Sequence, residues 1–495
     1  MRMIDALLAA GSVLVAPAAL GAATLQVEDG DGSLEAEHYE IRSIQTPDGV
    51  EMEVGGLAVL PDGRLAVATR HGEIWMADDA VDDAPTFTRF AHGLHEPLGL
   101  AYRDGALYAA QRGELTRLRD PNGDGRADAY ETIVAWPLDG NYHEYSYGPV
   151  FASDGSMFVT LNLGWIGHGA SLSRWRGWTI RVTDDGTVEP FAVGMRSPAA
   201  LALLPDGELF YAENQGDWVG SGFIAHVTRG GFYGNPAGLR WTDEPGSPLR
   251  LRVEDVPDTG EPRHEVAERV PVLALPAVWL PHGTLGISTS DILVDTTGGR
   301  FGPFGGQLFI GDQGRSNITR VFLEKVAGEY QGAAFPFRSG FSSGVLRLEW
   351  ASDGSMIVGM TNRGWGSTGR EPFGLQRLVW TGEVPFEALA VEARSDGFEI
   401  TFTRPVDPVT ANDPASYGVS SFTYHYRSEY GSPPIQEETH EVRGIHVSDD
   451  GTRVRLTLDR LRQGYVHQIS LEGIRSADGL PLLHDTAYYT LNRIP

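Results

Sequence analysis

The densest group of residues able to do proton chemistry is Asn141-Tyr142-His143-Glu144-Tyr145-Ser146-Tyr147-Gly148. An imidazole ionises near neutrality, so His143 among phenols can act as a general base on a hydroxyl or a carbon acid. Tyr145 stands two residues on as a second proton-handling group. Glu96 with the nearby His92 and His95, and His282 in Pro281-His282-Gly283, are weaker candidates. A second set is cationic: Arg70, Arg112, Arg315 and Arg363, with Arg196 preceding another copy of the same local pattern. If these share one face, they either hold a carboxylate-bearing ligand through paired guanidinium hydrogen bonds or bridge neighbouring segments through acidic partners. The third set is Asp120-Pro121-Asn122-Gly123-Asp124-Gly125-Arg126-Ala127-Asp128-Ala129-Tyr130-Glu131. Asp120, Asn122, Asp124, Asp128 and Glu131 fall at calcium-loop positions one, three, five, nine and twelve, with Arg126 at seven and Gly at six. Its flanks read as strands rather than paired helices, so the expectation is a structural calcium clip.

These groups have to be positioned by a repeated element. Six times the chain turns on a glycine, runs an alternating apolar strand and ends on polar residues: Asp62-Gly63 to Arg70, Asp104-Gly105 to Arg112, Asp154-Gly155 to Asn162, Asp206-Gly207 to Asn214, Gly305-Gly306 to Gln313, and Asp353-Gly354 to Asn362. Small sheets repeated in this way bury both faces only by stacking in a ring. The fold class expected is all-β: a six-bladed β-propeller over residues 24–382, followed by a C-terminal immunoglobulin-like β-sandwich over 383–495. The strand at His38–Ile44 is expected to close the ring. The insertion from Leu239 to Gly299 reads as a surface loop or lid. Because repeat positions share a face, the polar strand ends should converge on one mouth of the channel.

Composition narrows the partners. A formal charge of −27 over 495 residues excludes a basic face for nucleic acid. Cysteine is absent, which removes disulfides, thiolate zinc sites and thioether haem attachment. Residues 1–23 read as a signal peptide, with an Ala/Leu/Val stretch and small residues at Gly21, Ala22 and Ala23, implying a periplasmic or secreted protein. No later segment is apolar for long enough to span a bilayer.

In the order of their motifs the residues resemble the soluble glucose and sorbosone dehydrogenases, six-bladed propellers that use pyrroloquinoline quinone (PQQ). The resemblance rests on His143 to Leu161, Gly194-Met195-Arg196-Ser197-Pro198, Leu204-Pro205-Asp206-Gly207, Glu213-Asn214-Gln215-Gly216 and Gly230-Gly231-Phe232-Tyr233-Gly234-Asn235-Pro236. It implies a quinone-dependent sugar dehydrogenase with a carbohydrate substrate, an electron acceptor, PQQ and Ca2+. His143 would take the sugar hydroxyl proton, Arg196 would contact the cofactor, and backbone carbonyls around Gly216 and Asp217 would hold its calcium. The chain departs from that pattern at Ser197, at Asp312-Gln313-Gly314-Arg315, which lacks a lysine, and at Val345-Leu346-Arg347, where an Arg-x-Arg pair is reduced to one arginine. Arg315, Arg347 and Arg363 are then the remaining candidates for the cofactor's carboxylates. Two other classes stay open: a uronate lyase using His143 or Tyr145 as base with arginines neutralising the carboxylate, and a non-catalytic glycan-binding propeller with Trp165, Trp218 and Trp365 as stacking platforms.

Overall fold

The computed structural model describes residues 32–163, 173–364 and 366–495. The signal-peptide reading and the candidates Trp165 and Trp365 lie outside these residues. Six antiparallel blades of four strands form the ring, five as separate sheets and the fifth blade as half of a larger one, and each repeated phrase is the second strand of its own blade: 65–69, 106–110, 157–161, 209–213, 308–312 and 356–361. These strands are buried along nearly their whole length, as expected for strands covered by a blade on either side. The ring closes by a strand from the other end of the chain: Tyr39–Ile44 pairs antiparallel with Phe373–Trp380, the third strand of blade six, and so becomes that blade's outer strand. The Leu239–Gly299 segment is more than a loop. Val278–Leu280 is the outer strand of blade four and Thr289–Val294 the inner strand of blade five, with the short helix Arg263–Arg269 preceding both. A three-residue strand leaves too little alternation to be read from sequence.

The C-terminal module is a two-sheet sandwich. One sheet holds 388–394, 397–402, 453–458 and 442–447; the other holds 486–491, 465–470, 418–423 and 435–440. Its core is apolar, with Val391, Phe398, Ile400, Leu456, Ile469 and Leu491 buried together. The second sheet is not separate from the propeller. Residues 332–334 of blade five's outer strand pair with 488–490, so blade five and the sandwich share one eight-stranded sheet. That pairing removes an exposed sheet edge from each module.

At the propeller axis lies Arg347, buried, near the start of blade six's inner strand. Its guanidinium donates to the carbonyls of Gly55 (3.0 Å), Leu98 (2.6 Å), Ser290 (2.6 Å), Ala199 (3.3 Å) and Leu346 (2.8 Å). The remaining blade, the third, supplies the ring of Tyr147, 5.2 Å from the guanidinium carbon. The inner strands crowd closely here: a Cβ on Gly99 would lie 1.8 Å from the carbonyl oxygen of Gly148. Glycine is required there for the blades to meet.

A second buried cluster ties the N-terminal residues to the sandwich. His484 lies 2.6 Å from Glu387 and 3.0 Å from Glu35, and Glu35 also pairs with Arg338 at 3.0 Å. Burial opposes the charged imidazole, but the two carboxylates outweigh it and raise His484 to about 9. Burial likewise opposes the Glu35 carboxylate, and its bond to His484 overrides that, bringing it down to about 2.

Two outcomes follow for stability. Replacing Arg347 by Met should cost roughly 3 kcal/mol or more, because buried carbonyls of several blades lose their donor, as read from denaturant midpoints. The contribution of His484 is complete below its unfolded value near 6.5 and is lost as pH rises through about 9. That of Glu35 is complete above about 4.5 and fades as pH falls toward 2. Thermal scans should therefore show a decline from pH 7 to 10, of order 3 kcal/mol, that is flattened in His484→Gln.

Candidate functional site

The polar strand ends do converge. Arg70, Asn162, Asn214, Gln313 and Arg363, each following the second strand of a different blade, line one cavity of about 270 Å³ together with His143, Tyr145, Arg196, Ser197, Gln215, His282, Ser288 and Thr289. Leu98, Tyr147, Ala199 and Leu346 make an apolar floor, and Arg347 lies beneath it.

His143 sits on the loop entering blade three, beside the ring of Tyr142 at 4.7 Å and that of Tyr145 at 5.6 Å. The loop is fixed from behind by buried Arg176, which donates to the carbonyls of Tyr145 (2.7 Å) and Arg112 (3.0 Å) and stands 3.6 Å from buried Glu144. Burial, and then the charges of Arg196, Arg112 and Arg70, push the imidazole down to about 4. It is therefore neutral across the physiological range and able to accept a proton. Burial holds the Tyr145 phenol above its ordinary value, so it stays protonated; its oxygen accepts from Arg70 and its O–H remains a donor.

Four of the arginines meet three carboxylates, one of which is shared. Arg70 meets Glu96 at 2.5 Å and Arg112 meets the other oxygen of Glu96 at 2.9 Å. Arg363 meets Glu53 at 2.9 Å, and Arg196 meets Asp217 at 2.6 Å through Nε. Glu213, buried beneath, accepts from the backbone N–H groups of Arg196, Ser197 and Asn214, yet burial raises it to about 7. The strand-end arginines thus serve as blade-to-blade ties, and the expected positive field is largely cancelled. One unsatisfied donor remains: Nη2 of Arg196 is buried without a partner. Amides and hydroxyls supply most of the other polar lining.

Several candidates fall elsewhere. Arg315 donates to the carbonyl of Gly283, and only its neighbour Gly314 reaches the cavity. Arg347 is spent on the blade carbonyls. The carbonyl of Gly216 accepts from Val219 (3.0 Å) and from Gly431 of the sandwich (2.9 Å), and that of Asp217 accepts from Asn235 at 3.3 Å. The calcium that the resemblance implies does not fit there, since its carbonyl ligands are already engaged. PQQ fits no better: its three carboxylates need free cations, whereas Arg70, Arg196 and Arg363 are paired with carboxylates and Arg315 and Arg347 are engaged with backbone carbonyls. Trp218 packs against Tyr426 at 5.1 Å and is no sugar platform. Glu96 is an ion-pair partner, and His92 and His95 do not line the cavity.

In the acidic loop, Asp120, Asp124 and Asp128 bring ligand oxygens within 4.8 Å of one another. Asp120 also accepts from the N–H groups of Gly123 and Gly125, which curls the loop around its carboxylate. Asn122 and Arg126 are engaged with Asp124 within the loop. Glu131 is a correction: it lies in the strand Ala129–Ala135 and pairs with Arg117 at 2.7 Å, because the strand turns its side chain away from the loop.

Sequence reasoning missed Tyr430, which reaches the cavity from the sandwich, with the Arg196 guanidinium 5.3 Å from its ring centre. It also missed Ser288 and Thr289, which belong to the insertion read as a lid. For these the one usable signal was the short alternating run Thr289–Val294.

No protein-family model and no curated protein matches the chain. Solved structures do. An oxidoreductase (glucose dehydrogenase) of Thermus thermophilus superposes with a TM-score of 0.51 at 20% identity, over 69% of this chain and 100% of its own length. A second glucose dehydrogenase gives 0.50 at 18% identity, over 69% of this chain and 99% of that one. At such identities the likeness establishes the fold alone: the propeller is of the kind seen in these two structures.

Proposed function

We propose that the chain is a carbohydrate oxidoreductase whose cavity binds an uncharged sugar and whose His143 takes the proton of the hydroxyl being oxidised. One observation carries the reading: a neutral imidazole stands in a cavity whose charges largely cancel and whose other polar groups are amides and hydroxyls, the complement of a polyol. The fold shared with glucose dehydrogenases supports it.

The chemistry expected of the residues follows from their protonation. With His143 near 4, proton removal from an alcohol is steeply uphill unless the carbon-bound hydride leaves in the same step, so base and acceptor have to act together. Arg196 and Arg70 favour the developing alkoxide and disfavour a lasting imidazolium, which returns its proton quickly. Tyr145, kept protonated and touching Arg70 at 3.3 Å, donates to a sugar oxygen and fixes the ring. The finer form of the reading, hydride transfer to PQQ with calcium, lacks matching donors, so the acceptor is assigned as a quinone of lower charge. The lyase alternative loses its basis in free arginines. The N-terminal apolar stretch supports export to the periplasm or medium, and no helix among the described residues is long and apolar enough to cross a membrane.

The test is dye-linked oxidation of an aldose panel, with an uncharged benzoquinone acceptor or with PQQ and Ca2+. Turnover with the uncharged quinone, unimproved by PQQ and Ca2+, is expected; no turnover with either defeats the proposal. His143→Ala should lower kcat/KM by about 10²- to 10⁴-fold. In the parent protein kcat/KM should be level from pH 6 to 8 and fall as pH drops through about 4, where the imidazole takes up its proton.

The acidic loop supports a separate structural role, a calcium ion held by Asp120, Asp124 and Asp128. Added Ca2+ should raise the melting temperature of the parent protein, and Asp124→Asn should abolish that rise with little change in turnover.

A further inference from the structure

The sandwich contributes a wall to the cavity, and the wall is rigid. Between residues 424 and 432 its chain is bonded to the propeller loop 216–220: Trp218 N–H to the Arg427 carbonyl, Gly431 N–H to the Gly216 carbonyl and Ser432 N–H to the Gly220 carbonyl, each at 2.9 Å. Tyr426 adds a hydroxyl bond of 2.5 Å to the Gly234 carbonyl, and the Tyr424 ring packs on Trp279 at 4.9 Å. A segment held at so many points would ordinarily bury its aromatic residues, and Tyr424 and Tyr426 are buried. Tyr430 is instead 56% exposed, on a backbone bridged to Asp217.

On its other side a groove of about 520 Å³ runs between propeller and sandwich. The groove shares Gln215, His282 and Tyr430 with the 270 Å³ cavity, so the two spaces meet at the exposed ring. Farther along, its walls include Thr284, Glu437 and Gln468, with Arg427 already paired to Glu429 at 2.8 Å. A fixed, exposed aromatic face beside hydroxyl, amide and carboxylate groups suits the C–H face of a sugar ring while its hydroxyls bond sideways. If the cavity accommodates one reacting sugar, a groove nearly twice as large has room for more than one.

We propose that the substrate is an uncharged oligosaccharide: its reacting terminal sugar enters the cavity beside His143, and the rest of the chain crosses Tyr430 into the inter-domain groove. The proposal rests on the sugar reading above and adds to it a substrate length and the residue that selects for it. The ring supplies only one wall of this subsite, through Gln215, His282 and Thr284; the other wall and Tyr430 come from the sandwich seated on it.

Calorimetric titration of the full chain carrying His143→Ala, with glucose, xylose and galactose and with linear oligomers of each from two to four units, tests binding apart from turnover. For one of these series, affinity should rise about tenfold from monomer to trimer, the gain of roughly one stacked ring. Adding Tyr430→Ala should bring the trimer-to-monomer ratio close to one, while Tyr430→Phe should keep it, and circular dichroism checks that both remain folded. Affinity independent of length, no binding at any length, or a gain that survives Tyr430→Ala in a folded protein overturns the proposal. Length-dependent binding by a parent protein that oxidises no sugar would leave the groove assignment standing and remove the oxidoreductase reading. Oxidation of monomers without any length effect would do the reverse.

Discussion

Six sheets arranged around an axis have a common difficulty: their inner strands end in carbonyls that face one another across a space too narrow for an ordered helix or a seventh sheet. Arg347 resolves this. A guanidinium has five N–H donors in one plane, and here they reach carbonyls from five blades while the sixth lends the face of Tyr147. Lysine has the charge but neither the plane nor the number of donors, so it could not span the same ring. The consequence for the site is a floor. Leu98, Ala199 and Leu346 close the cavity just above Arg347, and Leu98 and Ala199 also border the separate space below. Ligands approaching His143 therefore come from one side only.

With the floor fixed, the chemistry of the mouth depends on charge balance. Arginines at strand ends carry a desolvation penalty in a narrow opening, and each has a carboxylate from another segment: Glu96 for Arg70 and Arg112, Glu53 for Arg363, Asp217 for Arg196. Arg70 with Glu96 and Arg363 with Glu53 fix one blade against another, Arg196 with Asp217 fixes the loops of blade four, and together they cancel most of the charge at the cavity. The residual cationic influence is felt by His143, which it helps to hold deprotonated. Paired arginines thus serve both the ring and the base. They are poorly suited to hold a polyanion.

The parts of this arrangement legible in the sequence are local ones. A glycine turn followed by an alternating strand is complete within about ten residues, so all six second strands, and the polar groups at their ends, follow from residue order alone. His143 was legible for the same reason, standing just ahead of a strand that had to line the channel. Ion pairing was not. Glu53 and Arg363 are brought together only by ring closure, and the meaning of Arg347 depends on five other blades. Glu131 had the spacing of a calcium ligand, but the strand that follows the loop turns it toward Arg117. Tyr430 has no sequence signal at all: its place follows from the sandwich continuing the sheet of blade five, a pairing of 332–334 with 488–490.

That continuation also accounts for the loop at Gly216 and Asp217. A divalent ion bound at those carbonyls would supply two positive charges to a region where Asp217 and Glu213 are both buried. The chain offers a peptide N–H from Gly431 instead, which satisfies a carbonyl but brings only a partial charge. The two carboxylates then need other compensation, and each has it: Asp217 from Arg196 and Asn235, Glu213 from three backbone N–H groups and a raised affinity for a proton. Arg196 is committed to Asp217 through Nε for this reason, and its Nη2 is left buried without a partner. Docking the sandwich at Gly216 therefore leaves the charge balance of this loop to Arg196, Asn235 and backbone N–H groups, the balance on which the proposed uncharged ligand rests.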